Sequence, residues 1–180
     1  MQEPTHILAG VIIQRSLQWI KPRPLALTVT AVAAFLSHGL LDRLADITYH
    51  PAQANFKDPF WVGYHLYVLI ATVGFLCVWW RRFKWGIFFA MLPDFDWVFI
   101  HGQEIFHIKI PFYRRPHMHD FLHLIFNQTP PFSHLRVPNN RHNPWACLFE
   151  FGLVLAMLAV IWFLTQRKRQ DTKSPHTASP

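Results

Sequence analysis

Apolar residues in this chain gather in long runs, not in the alternation of a strand or the single stripe of a soluble amphipathic helix. The clearest run is 59–80, PFWVGYHLYVLIATVGFLCVWW, and 145–165 is another. Each is close to the ~20 residues a helix needs to cross a bilayer. Residues 25–47 begin with small and apolar side chains and turn polar at His38, Asp42, Arg43 and Asp46. A shorter run, 85–101, contains Pro93, Asp94 and Asp96. A fifth, 5–20, is broken by Gln14 and Arg15 and stopped by Pro22 and Pro24, so it reads as a strained span, a re-entrant element or an interfacial helix. The expected fold class is all-α, a polytopic membrane helical bundle of four or five helices.

The segment 102–144 holds six of the fourteen prolines and is expected to be a long loop. Within it, 117–127 (HMHDFLHLIFN) predicts a short interfacial helix. Residues 1–165 then form one membrane-embedded domain, and 166–180 a disordered basic tail. Glu3 and the lack of a basic leader argue against a cleaved signal peptide.

Charge sharpens this picture. Charged residues are 15% of the total, against about 25% in soluble domains. The net charge of +7 sits in clusters that flank apolar runs: Lys21/Arg23, Arg81/Arg82/Lys84 and Arg167/Lys168/Arg169. That placement fits cytoplasmic anchoring and argues against nucleic acid as a partner. The C-terminus is expected in the cytoplasm, as in a bacterial inner-membrane protein, with 48–58 and the loop 102–144 on the other side. Cys77 and Cys147 lie inside apolar runs and read as small buried hydrophobes.

Against this background the polar residues within spans stand out. An ionisable group at mid-bilayer costs at least about 2.5 kcal/mol, so His38, Asp42, Asp94 and Asp96 mark a functional site. His38 and Asp42 are four apart and share a helix face, and both side chains suit zinc and similar divalent ions. Pro93 breaks or bends its helix, which allows Asp94 and Asp96 to aim at one cavity. His119 and His123 form a second pair four apart, with His6 and His65 as further candidate ligands. The expected metal residues are His6, His38, Asp42, Asp94 and Asp96.

The segments T-H-I-L-A-G around His6, S-H-G-L-L-D at 37–42 and L-P-D-F-D at 92–96 resemble motifs of the membrane-bound metal-dependent hydrolases of the YdjM type. The H-x-x-x-D spacing is also similar to the ligand pattern of the all-helical zinc-dependent phospholipase C superfamily. The resemblance implies a helical, membrane-associated fold that hydrolyses phosphoesters or similar bonds at a metal site. It implies His6, His38, Asp42, Asp94 and Asp96 as ligands or their supports. In this sequence the H-x-x-x-D pattern precedes L-P-D-F-D, the reverse of the family order.

The expected function is a membrane-embedded metal-dependent hydrolase with a divalent ion, zinc by preference. It would act on a lipid-linked or phosphoester substrate at the outer membrane face. His119 or His123 would carry protons, and Arg114 and Arg115 are candidates to hold an anionic group. Intramembrane carboxylates also suit proton or cation transport, which so few spans would need a homo-oligomer to achieve. His38 and His65 offer an axial pair for haem. A structural role, with polar residues joining helices, accounts least well for the aspartates.

Overall fold

In a computed structural model of the protein, residues 2–51, 55–111, 113–130, 134 and 137–173 are described, and the regular structure among them is helical. The elements are α1 (Glu3–Ser16), α2 (Arg23–Arg43), α3 (Pro59–Met91), α4 (Phe95–Phe106), α5 (His117–Gln128) and α6 (Cys147–Lys173). Single 3₁₀ turns at Ala45–Ile47, Leu92–Asp94 and Pro144–Ala146 join or extend them. Among the described residues, three helical stretches are long and apolar enough to cross a membrane: Arg23–Ile47, Pro59–Phe106 and Pro144–Arg167. Their outer faces carry exposed Leu66, Leu69 and Ile70 on α3 and Leu155, Trp162 and Phe163 on α6. Such contiguous apolar surface is a liability in water and natural in lipid.

The helix α1 plays a different part. Its 14 residues reach only ~21 Å, short of the ~30 Å hydrocarbon layer. Every residue from Pro4 to Val11 is buried. Ile7, Leu8 and Val11 share one core with Phe83 and Ile87 of α3 and Val154 and Ile161 of α6. A Cβ placed on Gly10 would lie 2.4 Å from the Gly86 carbonyl oxygen, so the backbones of α1 and α3 touch. Small residues permit such close approach where lipid supplies no hydrophobic drive.

The sequence presented 59–80 and 85–101 as separate runs; the fold joins them into one helical stretch with a break at Phe83 (φ −126°, ψ 27°). A break frees the amides of the turn that follows it. The Gly86 N–H accordingly donates to Gln14 Oε1 at 2.7 Å. The guanidinium groups of Arg15 and Arg82 both lie over the Phe83 ring.

Contacts define the direction of each leg. Gln2, at the N-cap of α1, and Tyr64 of α3 both bond Glu150 near the start of α6. Arg15 donates to the Leu164 carbonyl, and Phe83 packs with Ile161, both farther along α6. After Phe83 the backbone turns back, with Gly86 against Gly10 and the Ala90 carbonyl against His38. The basic residues Arg15, Arg82 and Lys84 therefore collect at one end, and the histidine-rich segments at the other.

Several boundaries differ from expectation; α1, for one, covers Glu3–Ser16 and not 5–20. The helix α4 runs on to Phe106, so the connecting segment starts later than 102. The helix α5 covers His117–Gln128, one residue beyond the span read from its pattern. The helix α6 continues through Lys173, into the segment expected to be disordered from 166; residues 174–180 lie outside the described residues.

Candidate metal centre

Four elements converge on one point near the histidine-rich end. The helix α1 brings His6, the last turns of α2 bring His38 and Asp42, the turn after α3 brings Asp94, and α5 brings His119. Two overlapping groups, His6/His38/Asp42 and His38/Asp94/His119, each have ligand atoms within 4.8 Å of one another. His38 Nε2 lies 3.1 Å from Asp42 Oδ2 and 3.6 Å from Asp94 Oδ1. His119 Nε2 lies 3.5 Å from the same Asp42 oxygen and 3.3 Å from His38 Nε2.

What surrounds these donors bears on their chemistry. His38 Nδ1 donates to the Ala90 carbonyl at 2.8 Å, which leaves the Nε2 lone pair facing the cluster. His119 Nδ1 lies 3.4 Å from Asp96 Oδ2, and its Nε2 faces the cluster while also accepting from Trp97 Nε1 at 3.2 Å, a bond a metal ion would have to displace. Metal-binding imidazoles characteristically give their other nitrogen to a carbonyl or carboxylate, which sets tautomer and ring orientation. Both histidines follow that rule. His6, stacked on His38 at 3.9 Å, is 1% exposed, and neither ring nitrogen has a hydrogen bond among the described residues. Its Nε2 comes within 3.4 Å of Asp42 Oδ1 without hydrogen-bond geometry. Asp94 Oδ2 is similarly buried without a partner among the described residues. Buried polar atoms are rarely left so, and a ligand or ion is one way to satisfy them.

Asp96 serves a second purpose. The helix α5 starts after Pro116, which offers no side-chain cap. Asp96 Oδ2 accepts from the Met118 and His119 amides at 2.6 and 3.1 Å, so a residue of α4 caps α5 from outside. Leu122 and Phe126 of α5 rest on Gly39, where an added Cβ would lie 2.7 Å from the Phe126 ring. The absence of a bulky group one residue after His38 thus lets α5 come close enough to deliver His119.

A cavity of about 940 Å³ opens beside the cluster. Asp42, Asp94 and His119 line it, together with Trp97, Val98, Ile105 and Phe106 of α4. Burial holds the His119 pKa below its ordinary value, and it does the same more strongly for His50 on the cavity wall, lowered to about 4.

The fold thus brings together His6, His38, Asp42 and Asp94, all marked in the sequence as metal residues. His119, marked for proton transfer, joins the ligand group, while Asp96, marked as a ligand, contacts His119 and caps α5. His123 is exposed and lines the cavity. His65 is elsewhere, stacked on Trp61 and bonded to that residue's carbonyl on its own helix. Arg114 is exposed and Arg115 pairs with Asp120; neither lines the cavity, whereas Arg141, unremarked in the sequence as a site residue, does. Arg141 is held by Asp46 from 95 residues away, a pairing no local pattern announces.

Fold and site together describe an all-helical bundle with three membrane-length apolar helices and groups of His and Asp able to hold a metal ion. Comparison with family models, with curated proteins and with solved structures found no match.

Proposed function

We propose that this protein is a membrane-embedded metal-dependent hydrolase acting on a lipid-linked phosphoester. The observation that carries the reading is the convergence of three imidazoles and two carboxylates, from four separate elements, beside a cavity with an apolar wall. Structural zinc sites close with four ligands, whereas catalytic ones face an open position. Asp42, Asp94 and His119 line the cavity, so an ion they held would face it.

Either three-residue group, His6/His38/Asp42 or His38/Asp94/His119, would hold the metal and leave a position open, the remaining side chains supporting it, and zinc suits such a donor set. Such an ion supplies Lewis acidity at the phosphoryl oxygen and lowers the pKa of a bound water toward neutrality. Asp96 fixes the His119 ring, and the Ala90 carbonyl fixes His38. His123, on the cavity wall one turn beyond His119, carries a proton to the leaving group.

The topology belongs to the same proposal. Five legs traverse or enter the bilayer: α1, α2, the two halves of the long central stretch, and α6. The basic end faces the cytoplasm of a bacterium, with the C-terminus, and the metal site opens toward the outer leaflet.

The test is turnover of a panel of lipid phosphoesters by the detergent-purified protein, with and without a chelator, beside Asp94→Asn. Cleavage that chelation abolishes, zinc restores and Asp94→Asn lowers at least ~100-fold is the expected outcome. Cleavage indifferent to both, or none on any phosphoester by a metal-loaded protein, would overturn the reading.

A further inference from the structure

The cavity beside the candidate metal centre is lined by two chemically distinct sets of residues. In the polar set Arg141 joins Glu3, Asp42, Asp94 and His119. Its position is built, not incidental. Its Nε donates to Asp46, which sits one helical turn beyond Asp42. The Asn140 amide donates to the Asp46 carbonyl at 2.7 Å, and the His50 amide to the Arg141 carbonyl at 2.9 Å. A loop residue is thereby pinned over the end of α2, where the ligands His38 and Asp42 also lie. With Nε on Asp46, the opposite edge of the guanidinium fork is the one that can meet a ligand. That planar edge matches two oxygens of a phosphate.

The other set, on α4, is apolar apart from His101. Val98, Ile105 and Phe106 of α4 line the cavity and are largely exposed, at 62%, 71% and 69%. Gly102, between them, leaves the wall open: a Cβ placed there meets nothing within 4 Å. Since α4 belongs to a stretch apolar enough to cross a membrane, an exposed wall on it suits hydrocarbon.

We infer that Arg141 is the specificity-determining residue of this site: it receives the phosphate of an amphiphilic lipid phosphomonoester whose hydrocarbon tails lie along Val98, Gly102, Ile105 and Phe106. The inference rests on the hydrolase reading above for its chemistry, but lipid binding is measurable without turnover. Arg141 sets which headgroup enters, and α4 requires that it arrive attached to tails. A charge-assisted hydrogen bond of this kind is worth roughly ten- to a hundredfold in affinity.

The experiment uses the full-length protein in a maltoside detergent, loaded with zinc, and measures three probes by native mass spectrometry. These are dioleoyl phosphatidate, dioleoylglycerol with the same tails and no phosphate, and glycerol 3-phosphate with the same head and no tails. Metal content is measured in parallel. The wild type binds phosphatidate at least about tenfold more tightly than either partial probe. Arg141→Gln lowers phosphatidate binding to the level of dioleoylglycerol while metal content is unchanged. Arg141→Lys keeps a charge beside Asp46 but lacks the fork, and loses roughly threefold or more; it serves should the glutamine variant not fold. Gly102→Trp fills the apolar side and weakens both dioleoyl probes, again with metal retained. Phosphatidate binding unchanged in folded Arg141→Gln, or glycerol 3-phosphate bound as tightly as phosphatidate, would overturn the inference. If the wild type takes up no zinc but Arg141-dependent phosphatidate binding persists, the hydrolase reading falls and the lipid-phosphate site stands.

Discussion

At the scale of single residues, the strongest feature is that the ring nitrogens of His38 and His119 not facing the cluster are each engaged by a fixed acceptor. Asp96→Asn keeps the shape of the side group but weakens its hold on His119 Nδ1 and on the α5 amides. Losing an outer partner of a metal ligand typically costs ~10–100-fold in affinity, and we expect that range for zinc bound to Asp96→Asn, read by competition with a chelating dye. Affinity equal to the wild type would remove Asp96 from the site. A pH effect follows from His50, whose Nδ1 accepts from Gln2 Nε2 at 3.0 Å in the neutral form. Burial, aided by the positive charge of Arg141, lowers its folded pKa from 6.5 to about 4. The unfolded state therefore takes up the proton first as pH falls. Stability from this group is complete above 6.5 and is lost progressively from there toward 4. The thermal midpoint in detergent should fall between about pH 7 and about pH 5, and His50→Asn should flatten part of that slope. The His38–Asp42 spacing made that pair of the site readable from sequence, because both lie on one helix. The division of labour between His119 and Asp96 was not readable, since it depends on how α5 is capped by α4.

At the scale of elements, α1 shows most plainly what pattern alone misses. Its polar interruptions at Gln14 and Arg15 weakened it as a span, yet both have structural tasks: Gln14 takes the Gly86 amide, and Arg15 bonds the Leu164 carbonyl. Hydropathy recorded their polarity but not the break at Phe83 that gives Gln14 its partner. The contact of Gly10 with Gly86 predicts that Gly10→Ala and Gly86→Ala each destabilise severely, because the obstructing atoms are backbone. Gly74→Ala, in open space on the same helix as Gly86, should be neutral or slightly stabilising. Thermal melts of the three variants in one detergent test this, and similar midpoints for all three would show that the close approach is not needed. Gly39→Leu should displace α5 and lower metal affinity more than it lowers stability, since its neighbours Leu122 and Phe126 carry His119 with them.

At the scale of the whole molecule, the basic cluster around Phe83 and the His and Asp groups lie at opposite ends of the bundle, with Arg141 among the latter. Arg15, Arg82 and Lys84 form that cluster beside Leu164, and the cavity lies toward the other end. Alternating apolar runs and basic clusters made that polarity legible before any contact was known. The long 102–144 segment was legible only as proline-rich. Its use as a roof over the site, through α5 and the Arg141 loop, depends on contacts across 81 to 95 residues. The proposed orientation predicts that single cysteines introduced at His107 or Asn127 react with an impermeant maleimide in intact spheroplasts. One introduced at Lys84 should react only after lysis, and the opposite pattern would invert the topology.

The central claim is that these five side chains form a metal site, and its most direct measurement is the metal content of the gently purified protein beside a His38→Ala/Asp94→Ala variant. Near-stoichiometric zinc, manganese or iron in the wild type, absent from a variant that keeps its helicity, is the predicted result. A wild-type protein that carries no divalent ion and takes none up on titration would contradict the account, leaving its buried aspartates and histidines to proton handling or helix packing.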